Sequence, residues 1–179
     1  GEKVPIINVI DPVAEYVSRH YQNQRVGVIG TRATIGSQSY TNKIKEFNTG
    51  IHVKSLATPL LVPIIEEGLA DSTLTSEAIS HYLNHKHLDQ IESLILGCTH
   101  YPLIIDEVNS FYQNSIEIID SPRIVADQLK KVLLEKNLLN DSSEKPNYNF
   151  FVSDYTSVFE RIARVIFDNI ELHEENIWK

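Results

Sequence analysis

Ser93-Leu94-Ile95-Leu96-Gly97-Cys98-Thr99-His100-Tyr101-Pro102 passes from an apolar run into a cluster of small, nucleophilic and titratable side chains. Ser93–Leu96 is apolar on both of the faces that a strand would present. Such a strand must be covered by two layers, which is the condition of a parallel sheet with helices above and below. The rest of the chain repeats the pattern. Strands are expected at Val4–Ile10, Arg25–Gly30, Ile51–Leu56, Ile116–Ile119 and Asn147–Val152. Between them, Val13–Tyr21, Thr34–Phe47, Ser76–His85, Leu103–Tyr112, Ile124–Glu135 and Tyr155–Phe167 read as crossover helices. Asp11 is expected to cap the first, with Pro12 as its first helical residue. Strand–helix alternation of this kind predicts an α/β fold with an open parallel sheet flanked by helices. The polar stretch Asn140-Asp141-Ser142-Ser143-Glu144-Lys145-Pro146 reads as a linker.

Composition sets limits. The chain has 179 residues, 42% hydrophobic and 22% charged, as in ordinary globular proteins. Its net charge is −8, and Lys and Arg are scattered, which disfavours nucleic acid or an anionic membrane surface as partner. No apolar run approaches the length of a bilayer span. One cysteine excludes an internal disulfide, and nothing near the start reads as a signal peptide, so the expected location is the cytoplasm. The chain has no methionine and opens directly on a strand-like run. It is therefore expected to be a fragment of a longer protein.

Ligands of open parallel sheets bind beyond the carboxyl ends of the strands. The residues there are Gly30-Thr31-Arg32-Ala33-Thr34, Ala57-Thr58-Pro59, Gly97-Cys98-Thr99-His100 and Asp120-Ser121-Pro122. Small and hydroxylic side chains suit a small anionic or zwitterionic ligand held by hydroxyls and backbone N–H groups. A lone cysteine is often no more than a small buried hydrophobe. Here a histidine two residues on can take up the thiol proton, which an ordinary thiol of pKa ~8.5 requires to act at neutral pH. Local context leaves both readings of Cys98 open. Thr31 and Thr34 read as turn or cap residues, with Thr34 expected to cap and also to touch a ligand. Glu66-Glu67-Gly68 closes an apolar helical run, where acidic pairs are ordinarily solvated. The spacing of His81, His85 and His87 would suit a metal on one helix, but without an acidic or cysteine partner it reads as a solvated face.

Taken in order, these stretches resemble the glutamate racemase family, the cofactor-independent branch of the aspartate/glutamate racemase superfamily. The most specific string is Gly97-Cys98-Thr99-His100-Tyr101-Pro102. Supporting it are Gly27-Val28-Ile29-Gly30-Thr31 with Ala33-Thr34, Ser55-Leu56-Ala57 with Pro59-Leu60, Val62-Pro63, Glu66-Glu67-Gly68 and Ile119-Asp120-Ser121. The sequence departs from the family at Thr58, where many relatives carry cysteine, and at Pro122, where glycine is common.

The resemblance implies two lobes facing across a cleft, each supplying one catalytic cysteine. Residues 4–121 would be the lobe carrying Cys98, and residues 122–179 would complete the other. Cys98 is then the base for L-glutamate and the proton donor when D-glutamate reacts. His100 is its proton partner and also a substrate contact, Glu66 a supporting catalytic residue, and Thr31, Thr34 and Thr99 substrate contacts. The implied reaction needs no cofactor and no metal, its substrate is glutamate, and its product D-glutamate supplies peptidoglycan. A homo-oligomer is compatible with it. Alternatives are a superfamily racemase or decarboxylase for another acid, a cysteine hydrolase using Cys98, and a non-catalytic domain.

Overall fold

The computed structural model describes residues 4–48, 50–140, 142, 148–167 and 172–175. Its centre is a parallel sheet of order β2-β1-β3-β4, formed by β1 (Arg25–Gly30), β2 (His52–Ala57), β3 (Ser93–Leu96) and β4 (Glu117–Ile119). The two central strands are the apolar ones: Val26, Val28, Ile29, Leu94 and Ile95 are fully buried. Their side chains alternate between two cores, because successive residues of a strand point to opposite faces. Ile29, Leu94 and Leu96 pack with α4 (Leu61–Glu66), α5 (Thr73–Leu83) and Ile104 and Val108, the latter on α6 (Ile105–Phe111). Val26, Val28 and Ile95 pack with Val13, Ala14 and Val17 of α1 (Asp11–His20) and Tyr40 and Ile44 of α3 (Ser39–Phe47). Each such buried aliphatic side chain stabilises by about 1.5–3 kcal/mol.

After β4 the chain enters α7 (Ser121–Glu135), which lies against α1. A separate two-stranded parallel sheet joins β5 (Phe150–Val152) to β6 (Leu172–Glu174), with α8 (Ser157–Ile166) between them. α8 reaches back to α4 through Arg161, whose guanidinium donates to the carbonyls of Glu66 and Glu67 at 3.3 and 3.4 Å.

Several expectations need correction. Val4–Ile10 forms no strand over its described residues; Val4 and Ile6 are 82% and 93% exposed, and the segment pairs with none of the described strands. Ile10, not Asp11, holds the cap position of α1, and Pro12 stands one residue further in. The side chain that caps is Asn8, whose Oδ1 accepts from the N–H groups of Ile10 and Asp11. The single helix expected over Thr34–Phe47 is two, α2 (Arg32–Gly36) and α3, because Gln38 sits in the left-handed region at φ 53°. Thr31 rather than Thr34 is the cap of α2, accepting from the N–H of Thr34 at 3.2 Å. The Leu103–Tyr112 helix begins instead with a 3-10 turn at Tyr101–Ile104. β6 was not expected; Leu172–Glu174 is too short and too polar to stand out as a strand. The linker expectation falls largely on residues outside those described, as does the first residue of Asn147–Val152.

No helix among the described residues is long and apolar enough to cross a membrane. His85 and His87 lie outside α5, and His85 uses its Nδ1 to accept from the N–H of His87 at 3.1 Å. The spacing that suggested one histidine face is not carried on one helix.

Candidate active site

Strand order 2-1-3-4 reverses direction of winding between β1 and β3, so the loops leaving these two strands diverge to opposite faces and open a crevice. Thr31 and Thr34 follow β1 there; Cys98, Thr99 and His100 follow β3. The two loops meet closely. The N–H of Gly97 donates to the carbonyl of Ile29 at 2.8 Å, extending the ladder by one bond. A side chain at Gly97 would put its Cβ 2.9 Å from that carbonyl oxygen and 3.2 Å from the Tyr40 ring, so only glycine lets the Cys98 turn sit against β1.

A cavity of about 390 Å³ occupies the crevice, and Thr31, Thr34, Tyr40, Cys98, Thr99 and His100 line it. The thiol is half-buried. Its Sγ lies 3.8 Å from His100 Nδ1, a long contact of the kind sulfur makes, and His100 Nε2 lies 3.1 Å from Glu66 Oε1. This line of three groups has a consistent proton assignment. With the imidazole N–H on Nε2 donating to Glu66, Nδ1 is free to accept from the thiol. Glu66 itself belongs to the last turn of α4 and reaches the cavity through His100. Gly68, two residues on, takes φ +76° and turns the chain away from the site.

Opposing effects act on Cys98. Burial pushes the thiol up, and the charge of Glu66 adds to the rise. The backbone N–H of His100 is the strongest opposing influence, followed by those of Tyr101 and Thr99. The backbone of the turn after β3 thus favours the thiolate against the effect of burial. Burial favours the protonated thiol, and the backbone N–H groups oppose that rise. A group with both properties can give or take a proton at an adjacent carbon.

Thr31 Oγ1 and Thr34 Oγ1 lie 3.0 Å apart and share one proton bridge, which leaves hydroxyl capacity facing the cavity. Sequence reasoning did not single out Tyr40 as a wall of this site. Its only signal was its place on the apolar stripe of α3. Burial and the neighbouring Cys98 both push its phenol up.

A family model described as Asp/Glu/Hydantoin racemase matches residues 2–129. The chain is similar to the glutamate racemase of Chlorobaculum parvum, 38% identical over 160 residues that cover 89% of this chain and 59% of that one. It is 35% identical to the glutamate racemase of Geobacter metallireducens, with the same coverage of 89% and 59%. Among solved structures it resembles the glutamate racemase of Francisella tularensis in complex with D-glutamate, at TM-score 0.86 and 32% identity, covering 98% of this chain and 65% of that one. A glutamate racemase isoform from Bacillus anthracis gives TM-score 0.87 and 30% identity, covering 99% and 66%. The chain spans 59% of the length of the first curated relatives it matches. The span matched by the family model contains the sheet, the crevice at its switch point and the whole Cys98–His100–Glu66 line, and on that ground the chain belongs to the Asp/Glu/hydantoin racemase family.

Proposed function

We propose that Cys98 is one of the two acid/bases of a glutamate racemase. The observation that carries the reading is the Cys98–His100–Glu66 line at the sheet's switch point, in a chain similar to proteins named glutamate racemase. Inverting a carbon requires removing its proton on one face and returning one on the other. One fixed group serves one face, so two must flank the carbon. Cys98 would take the Cα proton of L-glutamate, passing its own thiol proton to His100 Nδ1 beforehand. In the reverse direction the Cys98 thiol would protonate the carbanion formed from D-glutamate. Glu66 would hold the imidazole in the tautomer that accepts at Nδ1 and stabilise it once charged. Thr31, Thr34 and Thr99 would bind the polar ends of the amino acid, with His100 as a further contact.

Without a cofactor the carbanion is stabilised only by positioned dipoles in a water-poor cleft. Cys98 is the sole cysteine of these 179 residues, so the facing thiol would lie outside them. We assign residues 4–121 to the Cys98 lobe and residues 122–179 to the facing one. D-glutamate made in this way would supply peptidoglycan, a cytoplasmic role that bears on cell shape.

Two measurements test the reading on the chain as it stands. Iodoacetamide reports on Cys98 alone, and D- or L-glutamate should slow its alkylation by at least about twofold when the site is half-filled or more, with aspartate weaker. Incubation with either enantiomer should produce no racemisation, read by circular dichroism of the amino acid. Equal protection by aspartate, or none by glutamate, would refute the substrate assignment. Racemisation that is lost in Cys98→Ala would refute the need for a second thiol.

A further inference from the structure

Tyr101 follows His100 directly, yet its side chain turns away from the cavity and is completely buried. Its phenol lies 2.6 Å from the Oγ1 of Thr58, which is also completely buried, and 3.2 Å from the Thr58 carbonyl. Thr58 Oγ1 is 3.3 Å from the carbonyl of Gly30, and the Thr58 N–H donates to that same carbonyl at 2.9 Å. Two hydroxyl protons satisfy this group in either direction. The phenol can donate to the Thr58 carbonyl while receiving from Oγ1, or donate to Oγ1 while Thr58 donates to Gly30. The knot thus joins the ends of β1 and β2 to the turn that follows β3.

That turn is fixed at two points. Before Cys98, the Gly97 N–H is bonded to Ile29; after it, Tyr101 N–H closes the turn on the Cys98 carbonyl at 3.1 Å, and the Tyr101 side chain is anchored at Thr58. His100, whose Nδ1 lies 3.8 Å from Cys98 Sγ, sits between these two points. That contact depends on Tyr101 staying where Thr58 holds it.

We propose that Thr58 and Tyr101 are positioning residues for Cys98, holding the post-β3 turn so that His100 Nδ1 stays against the thiol. Neither touches a substrate. The role is more than stability, because the knot closes on the segment that carries the thiol's proton partner. It rests on Cys98 being the reacting group, but its test uses iodoacetamide and no glutamate. A failure of the racemase assignment would leave the alkylation result standing, and the reverse holds as well.

The experiment is the pH profile of Cys98 alkylation in the parent chain, Thr58→Val, Thr58→Ser and Tyr101→Phe. Val keeps the shape of Thr without its hydroxyl. Loss of the His100 contact leaves the thiolate without its nearest proton partner and raises the thiol pKa, so less thiolate exists at a given pH below it. Thr58→Val and Tyr101→Phe should shift the profile to higher pH and slow alkylation at neutral pH about threefold or more, a shift of about half a pH unit. Thr58→Ser should restore a rate within about twofold of the parent. A residue serving stability alone would lower the melting temperature and leave the profile in place; that result, in variants folded by circular dichroism, overturns the proposal. Should neither variant fold, the parent decides. The ring carbon bearing the Tyr101 hydroxyl, followed by NMR, should track the ionisation of Cys98, and a resonance unmoved across that titration overturns it.

Discussion

The sheet β1–β4 and the β5–α8–β6 unit are both parallel strands with a crossover helix, yet they are held in different ways. In the first, β1 and β3 are buried along nearly their whole length, and cores lie on both faces. In the second, strands of three residues each leave Phe151 62% exposed, with Phe159 and Phe167 at 40% and 42%. Local chemistry is adequate in both; α8 even has a side-chain cap, Thr156 accepting from the N–H of Phe159. The difference is the number of layers. A strand with one neighbour and no second face covered gains little from burial, however apolar its residues.

The largest test of this contrast is a pair of truncations. Ile95→Ala empties a completely buried position between β1 and β4 and should cost about 2–5 kcal/mol. Phe151→Ala, in β5, should stay within about 0.5–1 kcal/mol. Thermal melts compare them directly, and equal losses would break the distinction. Hydrogen exchange should agree: the amides of β1 and β3 should exchange only on global opening, while those of β5 and β6 exchange far sooner.

High pH should find the same division. Tyr21, Tyr40, Tyr101 and Tyr112 all pack in or beside the main sheet, and burial raises each of them, Tyr101 and Tyr112 to about 12. A phenol whose folded pKa is raised contributes stability that is complete below its ordinary pKa of about 10 and is lost as pH rises through the folded value. Alkaline unfolding of the main sheet should therefore coincide with tyrosine ionisation followed by ultraviolet absorbance. Phenols ionising well before unfolding would contradict this burial. The Cys98 thiol, also raised by burial, adds a smaller loss beginning above ~8.5, which Cys98→Ala should remove.

Smaller effects sharpen the boundary between the two units. Arg161→Ala removes the donor to the carbonyls ending α4 and should cost about 0.3–1 kcal/mol. Its clearer readout is faster proteolysis within residues 148–167, with β1 unaffected. In the Glu160–Arg164 pair of α8 the Arg164 side chain is exposed and Glu160 partly so. Arg164 holds the Glu160 carboxyl below its ordinary value, so any contribution would be present above that value and lost as pH falls through the folded one. Solvent screening leaves it small, and Glu160→Gln should not move the melting temperature measurably. A shift of several degrees would mean that α8 is anchored by more than its contact with α4.

The sequence by itself determined the alternation of strands and helices, because burial on both faces leaves apolar runs such as Val26–Ile29 and Leu94–Leu96 that no solvated element could carry. It also determined that Thr31, Thr34, Cys98, Thr99 and His100 follow strands, and so stand at one edge of a parallel sheet. Tertiary structure alone decided the rest. Val4–Ile10 is as apolar as a strand but pairs with none of the described strands, and three-residue β6 is a strand only because β5 lies beside it. Thr34–Phe47 is periodic throughout, yet the left-handed Gln38 breaks it, a backbone event with no side-chain signature. Glu66 reads as a solvated acid until α4 brings it within 3.1 Å of His100, and Thr58 reads as one of the small hydroxylic residues at the strand ends until Tyr101 meets it in the core. The physical reason is common to all of these: periodicity records which face is buried, whereas a strand's partner, a broken helix or a hydrogen bond between residues 43 positions apart depends on where other segments of the chain come to lie.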